Sequence, residues 1–280
     1  MKTTALVPWY GSKRTLADRI VKALGPHRCY WEVFCGSCAV LFEKPPATME
    51  TVNDLHGDLV NLARHIQSDL TWRELESRWK RSLVGPCIYE ESKRIITETP
   101  FEATIDRAFH YFIFCWQGRN GSAGSNGGQN FCVRYTSKGG SPGTRFKSTV
   151  DSVMSWHERL RAVVILNEDA FGILDRVEDL EGTAIYCDPP YLTKSAKYMH
   201  DFKADDHARL AEALHRFRKT RVVVSYYDHP ELKRLYPKWQ QQKIEVTKAL
   251  VQQGQRDNNG ATKATEVLLV NQGGGGLFEG

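Results

Sequence analysis

The chain has 280 residues, 41% hydrophobic and 25% charged, with a formal net charge of +5. This is enough for one large α/β domain with a subdomain, or for two modest domains, and the mild basic balance permits a nucleic-acid partner without requiring one. No apolar run is long enough for a membrane span, no signal-peptide pattern opens the chain, and an odd seven cysteines argue against a disulfide framework, so a soluble, cytoplasmic protein with reduced thiols is expected.

In chain order, Pro8-Trp9-Tyr10-Gly11-Ser12-Lys13-Arg14 precedes a helical pattern in which Leu16, Ile20 and Leu24 share a face. Ser12 is placed to cap that helix, and free N–H groups beside Lys13 suit a carboxylate. Residues 30–34 read as the first strand. Cys35-Gly36-Ser37-Cys38 then makes a tight turn into a helix, where small residues let the backbone approach a ligand. A left-handed backbone at Cys38 would be strained, since only glycine adopts it freely. The Cys35-x-x-Cys38 spacing also fits a redox pair or half a zinc site, but no second pair completes a metal site, and no metal is expected. Residues 51–54 predict a second strand ending in Asp54, the position of a ribose ligand in doubly wound domains. Asp54 or Asp58 is also placed to cap the next helix, over 58–68.

From 71 to 156 the strand–helix alternation stops. Trp72, Leu75, Trp79 and Leu83 suggest one helix and residues 101–115 a second, buried one. A loop almost without apolar residues follows, over 118–130. Residues 131–135 alternate like a strand, and a Gly-rich turn at 138–143 leads to Arg145-Phe146-Lys147. The resulting hairpin carries Arg119, Arg134, Lys138, Arg145 and Lys147, with no acidic residue between Arg119 and Val150, and is a candidate groove-reading ribbon. Residues 163–171 return to the core as a strand with acidic residues at its end.

The stretch Ala184-Ile185-Tyr186-Cys187-Asp188-Pro189-Pro190-Tyr191 organises the chain. Its apolar run predicts a central strand of a parallel sheet that the prolines terminate, leaving Asp188 at the carboxyl edge where ligands sit. Consecutive prolines deprive the carbonyls of Asp188 and Pro189 of local N–H partners, so carboxylate and carbonyl can together accept both hydrogens of an exocyclic amine. Tyr191 offers a ring face for a flat base. Lys197 and Tyr198 follow in a segment able to close over a target or grip a phosphate. A helix over 206–219, strands over 221–226, 243–246 and 266–270, a loop over 254–263 and a flexible tail over 273–280 complete the reading.

Asp-Pro-Pro-Tyr, with the Trp9–Lys13 and Glu32–Cys38 blocks upstream, resembles the Dam-type (D12 class, alpha group) adenine-N6 DNA methyltransferases, over about 8–271. The resemblance implies a Rossmann-like S-adenosylmethionine (AdoMet)-dependent catalytic domain from 1–70 and 157–272. It also implies a mostly helical target-recognition domain over 71–156 carrying the β-hairpin. Trp9, Tyr10 and Lys13 match a block that touches the cofactor's methionine end, with Ser12 where the family has a second glycine. Glu32, Phe34, Gly36, Ser37 and Cys38 match the AdoMet loop, with Cys38 at a glycine position. Asp169 matches a residue near the cofactor's adenine, although Phe171 comes one residue later than in family members. Asp188, Pro189, Pro190 and Tyr191 match the catalytic motif, and Arg119-Asn120 lies near the flipped base. Double-stranded DNA is the implied partner of a monomer or homodimer of bacterial or phage origin. Alternatives are cytosine-N4 of DNA, adenine in RNA, a protein glutamine, or a silent DNA-binding module. Asp188 favours adenine, since cytosine-N4 enzymes resemble Ser-Pro-Pro-Tyr and glutamine enzymes Asn-Pro-Pro-Tyr.

Overall fold

The structure, a computed structural model, describes residues 5–9, 11–119, 130–133, 141–192, 202–247 and 263–273. At its centre is a seven-stranded sheet: β1 (Cys29–Glu32), β2 (Met49–Asn53), β3 (Val163–Leu166), β4 (Thr183–Cys187), β5 (Arg221–Tyr227), β6 (Gln240–Thr247) and β7 (Lys263–Val270). The order across the sheet is β3-β2-β1-β4-β5-β7-β6. Strands β1 to β5 pair in parallel, and β7 runs antiparallel to β5 and β6. All five residues of β4 are buried, because successive side chains enter opposite cores. Ala184 and Tyr186 join a cluster with α1 (Ala17–Leu24) and α3 (Gly57–Gln67), whereas Ile185 and Cys187 join one with α9 (Ala170–Arg176) and α10 (Ala204–His215). A strand covered on both faces has no polar alternation, which is why it reads as an unbroken apolar run.

Five helices lie between α3 and β3: α4 (Trp72–Arg81), α5 (Pro86–Glu98), α6 (Ile105–Gln117), α7 (Pro142–Val150) and α8 (Val153–Leu160). Helix α6 is the spine of this layer and is buried almost throughout from Arg107 onward. Trp79 of α4 stacks on its Phe112 at 4.0 Å, and Trp116 Nε1 donates to the Leu6 carbonyl at 3.0 Å. Arg107 ties α6 to its neighbours. Its guanidinium donates to Asp58 of α3 at 2.5 and 3.2 Å, and to the Ile95, Ile96 and Pro100 carbonyls at the end of α5.

Several sequence expectations are corrected. Arg145 and Lys147 lie on helix α7, not on the second arm of a hairpin. Pro142 starts that helix where a missing N–H costs nothing, and Phe146 and Val150, one turn apart, give it a buried side. Among the described residues of 84–163, the antiparallel pairing is the bridge of Gly118 to Phe131. Helix α5, which begins with Pro86 and fully buries Tyr89 and Ser92, was not anticipated. Ser12 makes no cap, because its hydroxyl lies 3.0 Å from that of Ser37. Helix α3 is capped by His56, whose Nδ1 accepts from the Leu59 N–H, and not by Asp54 or Asp58. Gly273, expected in the flexible tail, is buried, and a Cβ there would collide with the Thr220 carbonyl. The remainder of the tail, 274–280, and the expected loop up to 262 lie outside the described residues.

Arg107→Met leaves the Asp58 carboxylate buried and unpaired. We expect a loss of about 3–5 kcal/mol in denaturant unfolding, the usual cost of breaking one side of a buried pair.

Candidate active site

The parallel register that sets Glu32 opposite Tyr186 brings the carboxyl ends of β1 and β4 side by side. From β1 the chain crosses over to β2 and β3 on one side, and β4 returns on the other. Such a reversal opens a crevice that no crossover covers. A cavity of about 330 Å³ occupies it, within the ~300–1,000 Å³ of typical small-molecule sites.

The turn after β1 forms one wall. Gly36 has φ +45°, and a Cβ on it would sit 2.9 Å from Trp9 Nε1, so the indole closes directly over the backbone. Cys38 has φ 58° and ψ 28°, and it is the non-glycine residue with positive φ among the described residues. The chain thus keeps the glycine conformation with a side chain present, at a strain of about 1–2 kcal/mol. Asp54 fixes the turn: its Oδ2 accepts the Gly36 N–H at 2.8 Å and its Oδ1 accepts the His56 N–H at 2.9 Å. Asn53, buried, donates to the carbonyls of Val33 and Glu168 and accepts the Glu168 N–H, which locks the ends of three neighbouring strands together.

The opposite wall begins where the prolines end β4. Register places Ser225 of β5 beside Asp188, and the Ser225 hydroxyl, 2.9 Å from that of Tyr186, donates to Asp188 Oδ1 at 2.7 Å. Asp188 Oδ2 lies 2.8 Å from Lys13 Nζ, which also donates to the Gly11 carbonyl at 2.7 Å. The expected anion beside Lys13 is therefore part of the protein itself. Glu266 of β7 stands 4.0 Å from the same ammonium and accepts the Tyr191 hydroxyl at 3.2 Å. Burial raises the Glu266 carboxyl above its ordinary range, Lys13 pulls it back, and the charge of Asp188 pushes it up again. Glu32 faces the cavity at the end of β1, and burial pushes its carboxyl up to about 8 even though the Tyr30 hydroxyl donates to it at 2.9 Å.

At the far end Asp169 caps α9 by accepting the N–H groups of Phe171 and Gly172 at 3.0 and 3.2 Å. Phe171 lies parallel to Phe202 with centroids 6.1 Å apart, and the Arg209 guanidinium sits 3.9 Å from the Phe171 centroid.

The cavity brings together Trp9, Lys13, Glu32, Phe34, Gly36 and Ser37 from one wall. Asp54, Asp169, Asp188 and Pro190 face the same space. Cys38 lies one residue behind Ser37, and Pro189 and Tyr191 are buried outside the lining. The Tyr191 ring meets the edge of Tyr227 at 4.5 Å and lies 4.9 Å below the Lys13 ammonium. Arg119 and Lys147 are exposed, and Arg145 donates to the Trp116 carbonyl at 3.0 Å. Tyr10, Asn120, Arg134, Lys138, Lys197 and Tyr198 lie outside the described residues. The sequence reading missed Ser225, Glu266, His56, Phe202 and Arg209. For Ser225 and Glu266 the signal was present: each is a polar residue beside an apolar run of its strand, 222–224 or 267–270, and a polar residue there requires a buried partner.

A mostly parallel sheet with a carboxylate and a glycine turn at its switch point defines a doubly wound α/β protein with a ligand crevice. The model of the D12 class N6 adenine-specific DNA methyltransferase family matches residues 9–253, and the chain belongs to that family. A solved structure described as "Structure of a putative methyltransferase from Thermoplasma acidophilum" is similar at 12% identity with a TM-score of 0.27. That likeness covers 48% of this chain and 55% of the other, so the chain spans about half of that neighbour's length. A search of curated protein sequences gives no match.

Gly36→Ala forces a Cβ against Trp9 in a left-handed backbone, and we expect a thermal-unfolding loss of about 1–3 kcal/mol. Cys38→Gly, which relieves strain while losing a small buried side chain, should stay within about 1 kcal/mol of the wild type. Glu32 gives a pH signature. Burial pushes its folded carboxyl up to about 8, above the ordinary carboxylate range, so the folded state holds the extra proton and stability falls as pH rises from that range toward 8. Glu32→Gln removes that slope. Urea unfolding should find the variant more stable than the wild type at pH 9, by on the order of a few kcal/mol, with the gap narrowing toward pH 5.

Proposed function

We propose that this protein is a site-specific DNA adenine methyltransferase, transferring a methyl group from AdoMet to the N6 amine of an adenine flipped out of double-stranded DNA. The observation that carries the reading is the setting of Asp188. Ser225 engages one of its oxygens and Lys13 the other, and the carboxylate opens on the same cavity as the Gly36 turn.

The donors around the cavity suit AdoMet. Glu32 offers a carboxyl to an ammonium, Asp54 keeps lone pairs for ribose hydroxyls, and Asp169 and Phe171 border an aromatic end for a flat base. Trp9, Phe34, Ser37 and the Cys38 backbone complete the turn around it, with Tyr10 beside Trp9 in sequence. When bound, AdoMet supplies a methyl group already activated by its sulfonium.

The protein therefore has to orient an amine and support its changing charge. Adenine N6 is a poor nucleophile because its lone pair is delocalised into the ring. Asp188 and the Pro189 carbonyl accept its two hydrogens, which concentrates the lone pair toward the methyl. Pro190 borders the pocket, and Tyr191, anchored through Glu266, packs behind it and supports the wall against which the base lies. The target atom lies inside the duplex stack, so the base has to leave it. No cysteine is needed as a nucleophile.

Residues 71–156 serve as the target-recognition domain beside a catalytic domain formed by 1–70 and 157–272. Arg119, Asn120, Arg134, Lys138 and Lys147 carry DNA contact, with Lys197 and Tyr198 closing over the target. Arg145 holds the end of α6 through the Trp116 carbonyl.

Transfer of a labelled methyl from AdoMet to unmodified duplex DNA, followed by nucleoside analysis, tests the reading. Label is expected in N6-methyladenine, and Asp188→Ala should lose at least about a hundredfold in rate. Label in cytosine would reassign the base, and no label despite DNA binding would overturn the proposal.

A further inference from the structure

Lys13 is buried, with 5% of its side chain exposed, and its ammonium is surrounded by acceptors. Of its three N–H donors, one is used at 2.7 Å on the Gly11 carbonyl and one at 2.8 Å on Asp188 Oδ2. The Glu266 carboxylate is 4.0 Å away and the Tyr191 ring centroid 4.9 Å. Solvent screening is weak at such a site, so a single charge there governs its neighbours.

We propose that Lys13 is a positioning residue for methyl transfer: its ammonium is the shared counterion of Asp188 and Glu266 and fixes the Asp188 oxygen that receives the target amine. This rests on the reading of Asp188 as the amine's acceptor. Each carboxylate oxygen has two lone-pair directions, and Ser225 and Lys13 each fill one, so one remains on each oxygen for the amine. The charged and titratable groups facing Asp188 are Lys13, Glu32, Tyr186, Cys187, Tyr226 and Glu266. Lys13 is the cation among these described groups. Without it Asp188 and Glu266 stand together without the cation they share, beside the buried Glu32 carboxyl, a proton is retained, and a protonated acid donates where the amine needs an acceptor.

The test is the pH profile of kcat for labelled methyl transfer, with AdoMet affinity and thermal unfolding measured beside it. In Lys13→Met the acid limb should move up by about one to three pH units, with the loss concentrated in kcat and little change in KM for DNA. Lys13→Arg, which keeps the charge, should return the limb toward the wild-type position. Glu266→Gln keeps Lys13 and removes a repelling carboxylate, so its limb should move to lower pH; it also serves if Lys13→Met does not fold. An acid limb in Lys13→Met that coincides with the wild type's, or in Glu266→Gln that stays or moves up, overturns this inference alone. A wild type inactive on adenine overturns the underlying reading and this inference with it.

Discussion

Parallel pairing of β1 with β4 is the constraint on which the site depends. It is made by backbone hydrogen bonds between segments far apart in the sequence, and it aligns Glu32 with Tyr186. Two walls of the site lie within a few residues of that alignment: the Gly36 turn on one side, the two prolines on the other. Slipping the register by one residue would exchange the faces of β4, sending Tyr186 and Ala184 into the core now filled by Ile185 and Cys187. Burial on both faces therefore specifies the geometry of the cavity as strongly as it stabilises the sheet.

A second theme is charge held away from water. The site keeps Glu32, Asp188 and Glu266 close together with little solvent. Such groups are tolerated only when each has a defined partner: Glu32 has Tyr30 of its own strand, and Asp188 has Ser225 from β5 and Lys13 from the turn before α1. The result is rigid before any ligand enters, which suits a reaction whose main demand is orientation. Strain is concentrated in the same place, at Cys38 and beneath Trp9, where the hydrogen bonds of Asp54 hold the backbone.

What the sequence revealed follows from what is local. The apolar run of β4 and its terminating prolines lie within eight residues, and the small residues after β1 mark a close turn, so the strands and most of the cavity wall were legible. Partners that meet only through the fold were not. The contact of Lys13 with Asp188 was hidden because nothing nearby in sequence shows that Asp188 returns to it. Helix α7 was misread because Gly139, Gly140, Ser141, Pro142 and Gly143 spell a turn, while only Phe146 and Val150 announce its buried side. Helix α5 fully buries only Tyr89 and Ser92, too narrow a stripe to stand out. The cap of α3 fell to His56, a residue type that capping preferences rank below its acidic neighbours, because Asp54 was committed to the turn and Asp58 to Arg107.

The base of the polar loop has a consequence of a different kind. Gly118 pairs with Phe131, the Arg119 N–H donates to the Asn130 carbonyl at 2.9 Å, and the Cys132 N–H donates to the Gln117 carbonyl at 2.9 Å. Both anchors are thus fastened to the end of a buried helix. A substitution at Gly118, Phe131 or Cys132 therefore acts on α6 itself, and through the Trp116–Leu6 hydrogen bond on the core that α6 shares with the sheet.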